Sequence, residues 1–159
     1  MSARFSIGLL SVLTAVALTG MGCSKEEEHG HGGHAHEPKN GGVLVEVGRH
    51  QFNFEILSDA STGKLTVWVL DAHAENYVRI PAPTLQVSAS VDGGEKVLVL
   101  AAVANAASGE KVGDTSQFEG SAEWLKKGGG FSGMIKSVQL GGQSFGDVAF
   151  KYEPPTRAK

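Results

Sequence analysis

Short stretches of this chain alternate apolar and polar residues in the pattern of β-strands. In residues 51–57, Phe52, Phe54 and Ile56 are separated by polar residues. Because successive side chains of a strand point to opposite faces, a period of two places these three side chains on one face. The pattern therefore predicts a half-buried strand that turns this face toward a core.

Six other stretches are rich in β-branched or aromatic residues and are bounded by turn-forming residues. The predicted strands are 43–47, 51–57, 65–70, 84–90, 96–103, 133–140 and 145–152. Glycine and aspartate in residues 59–63, 92–95 and 140–143 predict hairpin turns, and hence antiparallel neighbours. Residues 65–70 are apolar on both faces, which favours a central strand with Trp68 as a core anchor.

Residues 121–127 depart from this β pattern and predict one turn of helix. Ser121 is its expected cap, and Trp124 and Leu125 are expected to face inward. Glycine accounts for 22 of the 159 residues, a turn-rich composition that fits short strands. We therefore expect an all-β fold over residues 41–153, an immunoglobulin-like antiparallel β-sandwich of about seven strands.

The first 22 residues have the composition of an export signal. Arg4 provides a positive start, and the apolar run at 7–18 would rise only about 18 Å as a helix, too short to remain as a membrane span. Gly22 and Cys23 follow, and the segment resembles a bacterial lipoprotein signal, which implies that Cys23 becomes the acylated first residue. The alternative is a plain secretory signal in which this cysteine has no such role.

Residues 23–40 are predicted to form a flexible tether. From residue 24 they run SKEEEHGHGGHAHEPKN, with no apolar periodicity. Such a segment buries too little apolar surface to offset the entropy of ordering it. The same expectation applies to residues 154–159, which we predict to be a disordered tail.

The tether carries four of the chain's six histidines. They form two His-x-His pairs: His29, His31, His34 and His36. Neutral imidazole is a good ligand for zinc, copper(II) and nickel, and the intervening glycines let the backbone fold around one ion. Because closing a flexible tract around a metal costs chain entropy, we expect exchangeable ions rather than a structural or catalytic site.

Other interpretations of these polar residues stay open. The tract is also explained as a solubilising spacer, or as metal affinity without a biological use. Asp71, His73 and Glu75 follow the central strand and offer one imidazole and two carboxylates to a cation, but an ordinary polar loop explains them as well. His50 is expected to be a surface or capping histidine, with a fifth metal ligand as the alternative.

Charge, cysteine count and motif context exclude several functional classes. The net charge of −3 provides no basic surface for nucleic acid, and a single cysteine excludes an internal disulfide or a two-thiol redox motif. Residues 142–146 spell G-x-S-x-G, but a nucleophile elbow needs a helix after Ser144 and a later histidine, and neither is expected here. We therefore predict no enzymatic activity and no small-molecule substrate.

The layout of the chain after the signal resembles a known family. The stretch HGHGGHAHEPKNGGVLVEV at residues 29–47 is followed by HQFNFEIL, GKLTVWVLD, PTLQVSASVDGGEK, SQFEGSAEWL and SGMIKSVQLGGQSF. Together these are similar to the N-terminal domain of periplasmic adaptor subunits of heavy-metal efflux pumps of the resistance-nodulation-division type, and to small stand-alone lipoproteins. The resemblance implies a sandwich and metal association. The helical hairpin, lipoyl-like and barrel segments of a whole adaptor are missing, so an accessory role is expected.

The sequence thus favours a binding module at the cell envelope. We expect a lipid-anchored extracytoplasmic protein on the periplasmic face of a membrane, whose histidine tract binds zinc, copper or nickel beside a metal-efflux or resistance system. The alternative is an interaction lipoprotein whose sandwich docks another envelope protein through an edge strand or a sheet face, with the tract only a spacer.

Overall fold

The computed structural model describes residues 36–155. Within them, the single helical element is a 3₁₀ helix at Glu123–Lys127, and no helix combines the length and apolar character needed to cross a bilayer. The ten strands are β1 (Val43–Val47), β2 (Phe52–Asp59), β3 (Lys64–Asp71), β4 (Thr84–Val91), β5 (Gly94–Ala102), β6 (Gln117–Ser121), β7 (Phe131–Ile135), β8 (Val138–Leu140), β9 (Gln143–Phe145) and β10 (Val148–Tyr152).

The predicted all-β antiparallel fold is confirmed. Eight strands form one sheet in the order β1-β2-β3-β6-β5-β4-β7-β10, and β8 and β9 form a separate hairpin. The large sheet curves into a near-barrel in which its two edge strands, β1 and β10, approach each other. The walls on either side of the core therefore belong to one continuous sheet.

The core lies inside the curved sheet, and the predicted face of β2 lines it. Phe54 and Ile56 are fully buried, and the register of β2 with β3 pairs them with Val69 and Val67. Phe52 is half-buried and packs against the edge of the same cluster. The period of two in this segment was therefore a sufficient guide to its inward face.

Trp68 is not the core anchor that the sequence predicted. It is half-buried and lies on the face of β3 opposite Val67 and Val69, where its register partner is Glu55. Because β3 is apolar on both faces, its composition did not distinguish the inner face from the outer one. The pairing of β3 with β2 determines that Val67 and Val69 face the core and that Trp68 faces outward.

The ten strands exceed the predicted seven by three. Residues 133–140 are divided into β7 and β8, and residues 145–152 into the end of β9 and β10, because the chain leaves the ladder with β4 after Ile135 and forms the hairpin β8–β9 before it returns in β10. In that hairpin the Phe145 ring contacts the Phe52 ring edge-on at 5.8 Å. Strand β6 was not predicted at all, because Phe118 is its only large apolar residue.

The predicted helical turn is present, but its cap is different. Ser121 ends β6, and the N-cap is Ala122, which makes no side-chain capping hydrogen bond. Leu125 is buried as predicted. Trp124 is half-buried, and its ring meets the Phe131 ring edge-on at 5.3 Å. The short helix therefore has no serine cap, and its Trp124 packs against Phe131 of β7.

The predicted hairpin turns are found between β2 and β3, between β4 and β5, and between β8 and β9. In the first, the Asp59 carboxylate accepts hydrogen bonds from the Ser61 hydroxyl at 2.6 Å, the Thr62 hydroxyl at 2.8 Å and the Ser61 backbone N–H at 2.8 Å. These bonds favour the ionised carboxylate and lower the pKa of Asp59 to about 2.

Candidate functional site

The chain leading into β1 folds back onto the outer face of the sheet. We call residues 36–42 the strap. It turns at Gly41, where φ is +75°, and Gly42 lies so close to β2 that an added Cβ would be 2.5 Å from the Ile56 carbonyl oxygen. Glycine suits the positive φ at Gly41, and only glycine leaves room for the close approach at Gly42, so each residue of the pair meets a separate requirement of the strap's path.

Glu55 fastens the strap to β2. Its side chain is fully buried on the outer face, opposite Phe54 and Ile56. One carboxylate oxygen accepts the backbone N–H groups of Asn40 at 2.6 Å and Gly42 at 2.9 Å, and the other accepts the Asn40 side-chain amide at 2.8 Å. A carboxylate that accepts three N–H groups is compensated for its burial, so the strap and Glu55 depend on each other.

The strap continues to the loop that follows β3, residues 72–77. The Lys39 ammonium donates to the Glu75 carbonyl oxygen at 2.7 Å and lies 5.3 Å from the centre of the Tyr77 ring. The Tyr77 hydroxyl donates to the Asn40 side-chain oxygen at 2.9 Å. These contacts join the predicted tether to a loop of the folded domain.

At the end of this path His36 meets His73. The two imidazole rings are 5.6 Å apart between centroids, with an interplanar angle of 72°. His36 is half-buried and His73 is exposed. The structure thus places the last histidine of the tract beside an imidazole that the sequence assigned to a polar loop.

The backbone that carries His73 is held on both sides. The Asn53 side-chain amide, buried on the outer face of β2, donates to the carbonyl oxygens of Asp71 and Ala72, each at 3.0 Å. The Asp71 carboxylate accepts the Glu75 backbone N–H at 2.9 Å and the Asn76 side-chain amide at 2.7 Å. The loop therefore presents His73 from a hydrogen-bonded frame.

The hydrogen bonds of the loop favour the ionised form of the Asp71 carboxyl. Partial burial acts to raise the pKa of its carboxyl, but the hydrogen bonds from Asn76 and from the backbone of the loop outweigh it and lower the pKa. Both carboxylate oxygens are engaged by the loop itself. Asp71 accordingly organises the turn, and His73 and Glu75 remain as its outward-facing polar side chains.

His50 has a different environment. It lies in the turn between β1 and β2 with φ of +54°, and its backbone N–H donates to Glu46 at 2.9 Å. Its Nδ1 atom is 3.2 Å from a Glu46 carboxylate oxygen, and its side chain is 72% exposed. His50 is therefore a surface histidine, as the sequence favoured, and its side chain interacts with Glu46.

Within residues 36–155, no group of three or more His, Cys, Asp or Glu side chains is arranged to hold a metal ion. The His36–His73 pair offers two imidazoles. The other predicted site residues lie outside the described residues: Cys23, His29, His31 and His34. The predicted signal at 1–22 lies outside them as well, so the structure bears on the tract only through His36.

Sequence reasoning missed the pairing of His36 with His73 and the role of Glu55. The alternation of Asp71, His73 and Glu75 marked the loop as a place of interest, but nothing local connects it to the tract. Glu55 was assigned to a polar face by its period. Ser144, of the rejected G-x-S-x-G pattern, lies exposed in β9, and β10 follows it as predicted.

Comparison with other proteins does not assign the chain to a family. No family model, characterised protein or solved structure matches it. The chemistry of the side chains in and around the strap is therefore the basis for a functional conclusion.

Proposed function

We propose that this chain is a lipid-anchored extracytoplasmic protein that binds divalent transition-metal ions. The ligands in this proposal are the imidazoles of the tract: His29, His31, His34 and His36. Acylated Cys23 holds the protein at a membrane on the periplasmic face, and the ions are exchangeable zinc, copper or nickel. Its place is beside a metal-efflux or resistance system, as the resemblance of the chain to efflux adaptors implies.

The observation that carries the proposal is the position of His36. This histidine is the first residue of the strap, and its ring centroid lies 5.6 Å from that of a second imidazole, His73. A tract that served only as a spacer would need no fixed end beside a histidine of the body. The location therefore supports a ligating role for the tract over a purely mechanical one.

The proposed ligands belong to the tract, and among the described side chains no three-ligand metal group is found. Histidine ligands with few fixed partners favour borderline ions and moderate affinity, because ordering the chain opposes binding. Capture and exchange of metal fit this balance better than permanent storage.

Replacing all four tract histidines by alanine is expected to remove metal binding. The variant His29→Ala/His31→Ala/His34→Ala/His36→Ala should show no binding heat for zinc or copper at concentrations where the mature chain does. The measurement is isothermal titration calorimetry of both proteins in the same detergent and buffer.

The matched control is His50→Ala, which removes one exposed histidine outside the tract and the strap. It should bind zinc and copper with the affinity of the native chain. Equal heats for the native chain and the fourfold variant would remove the tract from the proposal and return the protein to the docking alternative.

A further inference from the structure

The geometry of the His36–His73 pair suits a shared metal ion. Two imidazoles bound to one tetrahedral zinc through bonds of about 2.0 Å have ring centroids about 5 Å apart. The observed separation is 5.6 Å, with the rings nearly perpendicular. The two rings are therefore separated by nearly the distance expected for two imidazoles on one ion.

From this we infer that His73 is a ligand of the ion that the tract binds, so that metal joins the tract to loop 72–77. The inference rests on the proposed function and adds to it a ligand from the folded domain. It assigns a role to His73 that an ordinary polar loop residue would not have.

The segments that carry the two histidines are each held to the domain by hydrogen bonds, and Lys39 links one segment to the other. The strap that carries His36 is fixed through Asn40 on Glu55 and through Lys39 on the Glu75 carbonyl. The loop that carries His73 is fixed by Asn53 and by the Asp71 carboxylate. Ligands held in place before binding reduce the entropy lost when the ion is captured, so this pair contributes more affinity than two free histidines of the tract.

The charges near the pair are compatible with a cation. The Lys39 ammonium is engaged by the Glu75 carbonyl oxygen and by the face of the Tyr77 ring. The Glu75 side chain is exposed two residues from His73, and its carboxylate supplies negative charge to the same loop. The Glu75 carboxylate does not form a three-ligand group with the two imidazoles, and its contribution here is the negative charge that it adds to the loop.

The remaining ligands of the ion come from the tract as set out in the proposed function. His34 is two residues from His36 in the sequence. Four-coordinate zinc needs two ligands beyond the pair, and His34 with His31 or His29 can supply them. The ligand class is therefore a borderline divalent ion with imidazole ligands from both the tract and the domain.

His73→Phe tests this inference, because phenylalanine keeps an aromatic ring against His36 but has no ligating nitrogen. We expect zinc to bind this variant at least about tenfold more weakly than the native chain. His73→Cys offers a thiolate and should retain zinc binding. His50→Ala is the matched histidine control and should leave the affinity unchanged. Calorimetry on the mature chain supplies the affinities.

A second readout does not depend on substitution. In NMR spectra of the native chain, zinc should shift the ring resonances of His73 together with those of the tract, while those of His50 stay in place. Unchanged His73 resonances at saturating zinc, or native affinity in His73→Phe, would overturn the inference.

These results separate the inference from the proposed function. If the fourfold tract variant loses zinc and His73→Phe does not, the tract binds metal alone, and the role of His73 is wrong. If the native chain binds no zinc, copper or nickel, the proposed function is wrong and the inference fails with it. Weakening by both variants supports both.

Discussion

Glu55 shows how one residue ties the path of the chain to the position of a functional side chain. Its carboxylate is fully buried yet accepts three N–H groups, all from the strap. Without these donors a buried carboxylate would be strongly unfavourable. The strap is therefore required by the chemistry of Glu55, and with the strap comes the placement of His36.

Glu55→Gln is expected to destabilise the protein and loosen the strap. The amide keeps one acceptor oxygen but presents an N–H group toward the Asn40 amide, so charge-assisted bonds are lost. The free energy of unfolding should fall by about 1–3 kcal/mol. Urea denaturation measures this change, and faster exchange of the Asn40 and Gly42 amide hydrogens should accompany it.

Glu46→Gln is the control for that substitution, because Glu46 is 45% exposed and interacts with His50 at the surface. Its unfolding free energy should stay within about 0.5 kcal/mol of the native value. An equal loss in the two variants would mean that the buried position of Glu55 has no special weight.

At the scale of elements, β6 is the strand whose formation depends most on its neighbours. It lies between β3 and β5 and pairs with both. Its sequence, QFEGS, has low strand propensity. The strand is instead held by close packing against β5. Gly120 has no room for a side chain, since an added Cβ would be 2.8 Å from the Val99 carbonyl oxygen and from a Leu100 methyl carbon.

Gly120→Ala is expected to separate β5 from β6 and to lower the free energy of unfolding by about 1–3 kcal/mol. The backbone carbonyl of Val99 cannot rotate away as a side chain would, so the strands themselves must move. Chemical denaturation gives the stability, and amide chemical shifts of β5 and β6 locate the displacement.

Gly146→Ala provides the comparison, since a Cβ at Gly146 meets no atom within 4 Å. It should leave stability within about 0.5 kcal/mol of the native protein. If Gly120→Ala also has native stability, β5 and β6 can accommodate the added methyl group, and the predicted separation of the two strands is wrong.

At the scale of the whole molecule, the edge strands β1 and β10 of the near-barrel are not paired through their backbones, and a side chain links the two ends of the sheet. Tyr152 of β10 is almost fully buried. Its hydroxyl accepts the Ser58 backbone N–H at 3.1 Å and donates to the Ser58 carbonyl oxygen at 3.3 Å. Ser58 lies in β2, so one side chain joins the last strand of the sheet to the second.

Tyr152→Phe is expected to weaken this closure. The ring can keep its packing against Phe131, whose centroid is 5.2 Å away, while both hydrogen bonds to Ser58 are lost. The free energy of unfolding should fall by about 1 kcal/mol, as measured by urea denaturation. Hydrogen exchange at Ser58 should become faster.

Tyr77→Phe is the matched substitution at the surface, where the tyrosine is 45% exposed. It removes one hydrogen bond, to Asn40, and should change stability by less than about 0.5 kcal/mol. A similar loss for Tyr77 and Tyr152 would argue that closure of the near-barrel does not depend on the buried hydroxyl.

The sequence by itself determined the local features of this protein. Alternation placed Phe54 and Ile56 in the core, and glycine and aspartate located the hairpins, because both signals act between residues that are neighbours in the chain. The clustering of histidines in the tract is equally local, and so the metal hypothesis also comes from the sequence.

Only the tertiary structure decided which faces and segments meet. Trp68 lies outside the core because the register of β3 selected Val67 and Val69 for the interior. His73 lies beside His36 because the chain turns at Gly41 and the strap is bonded to β2. These outcomes depend on contacts between residues far apart in the sequence, whose energies no local pattern contains.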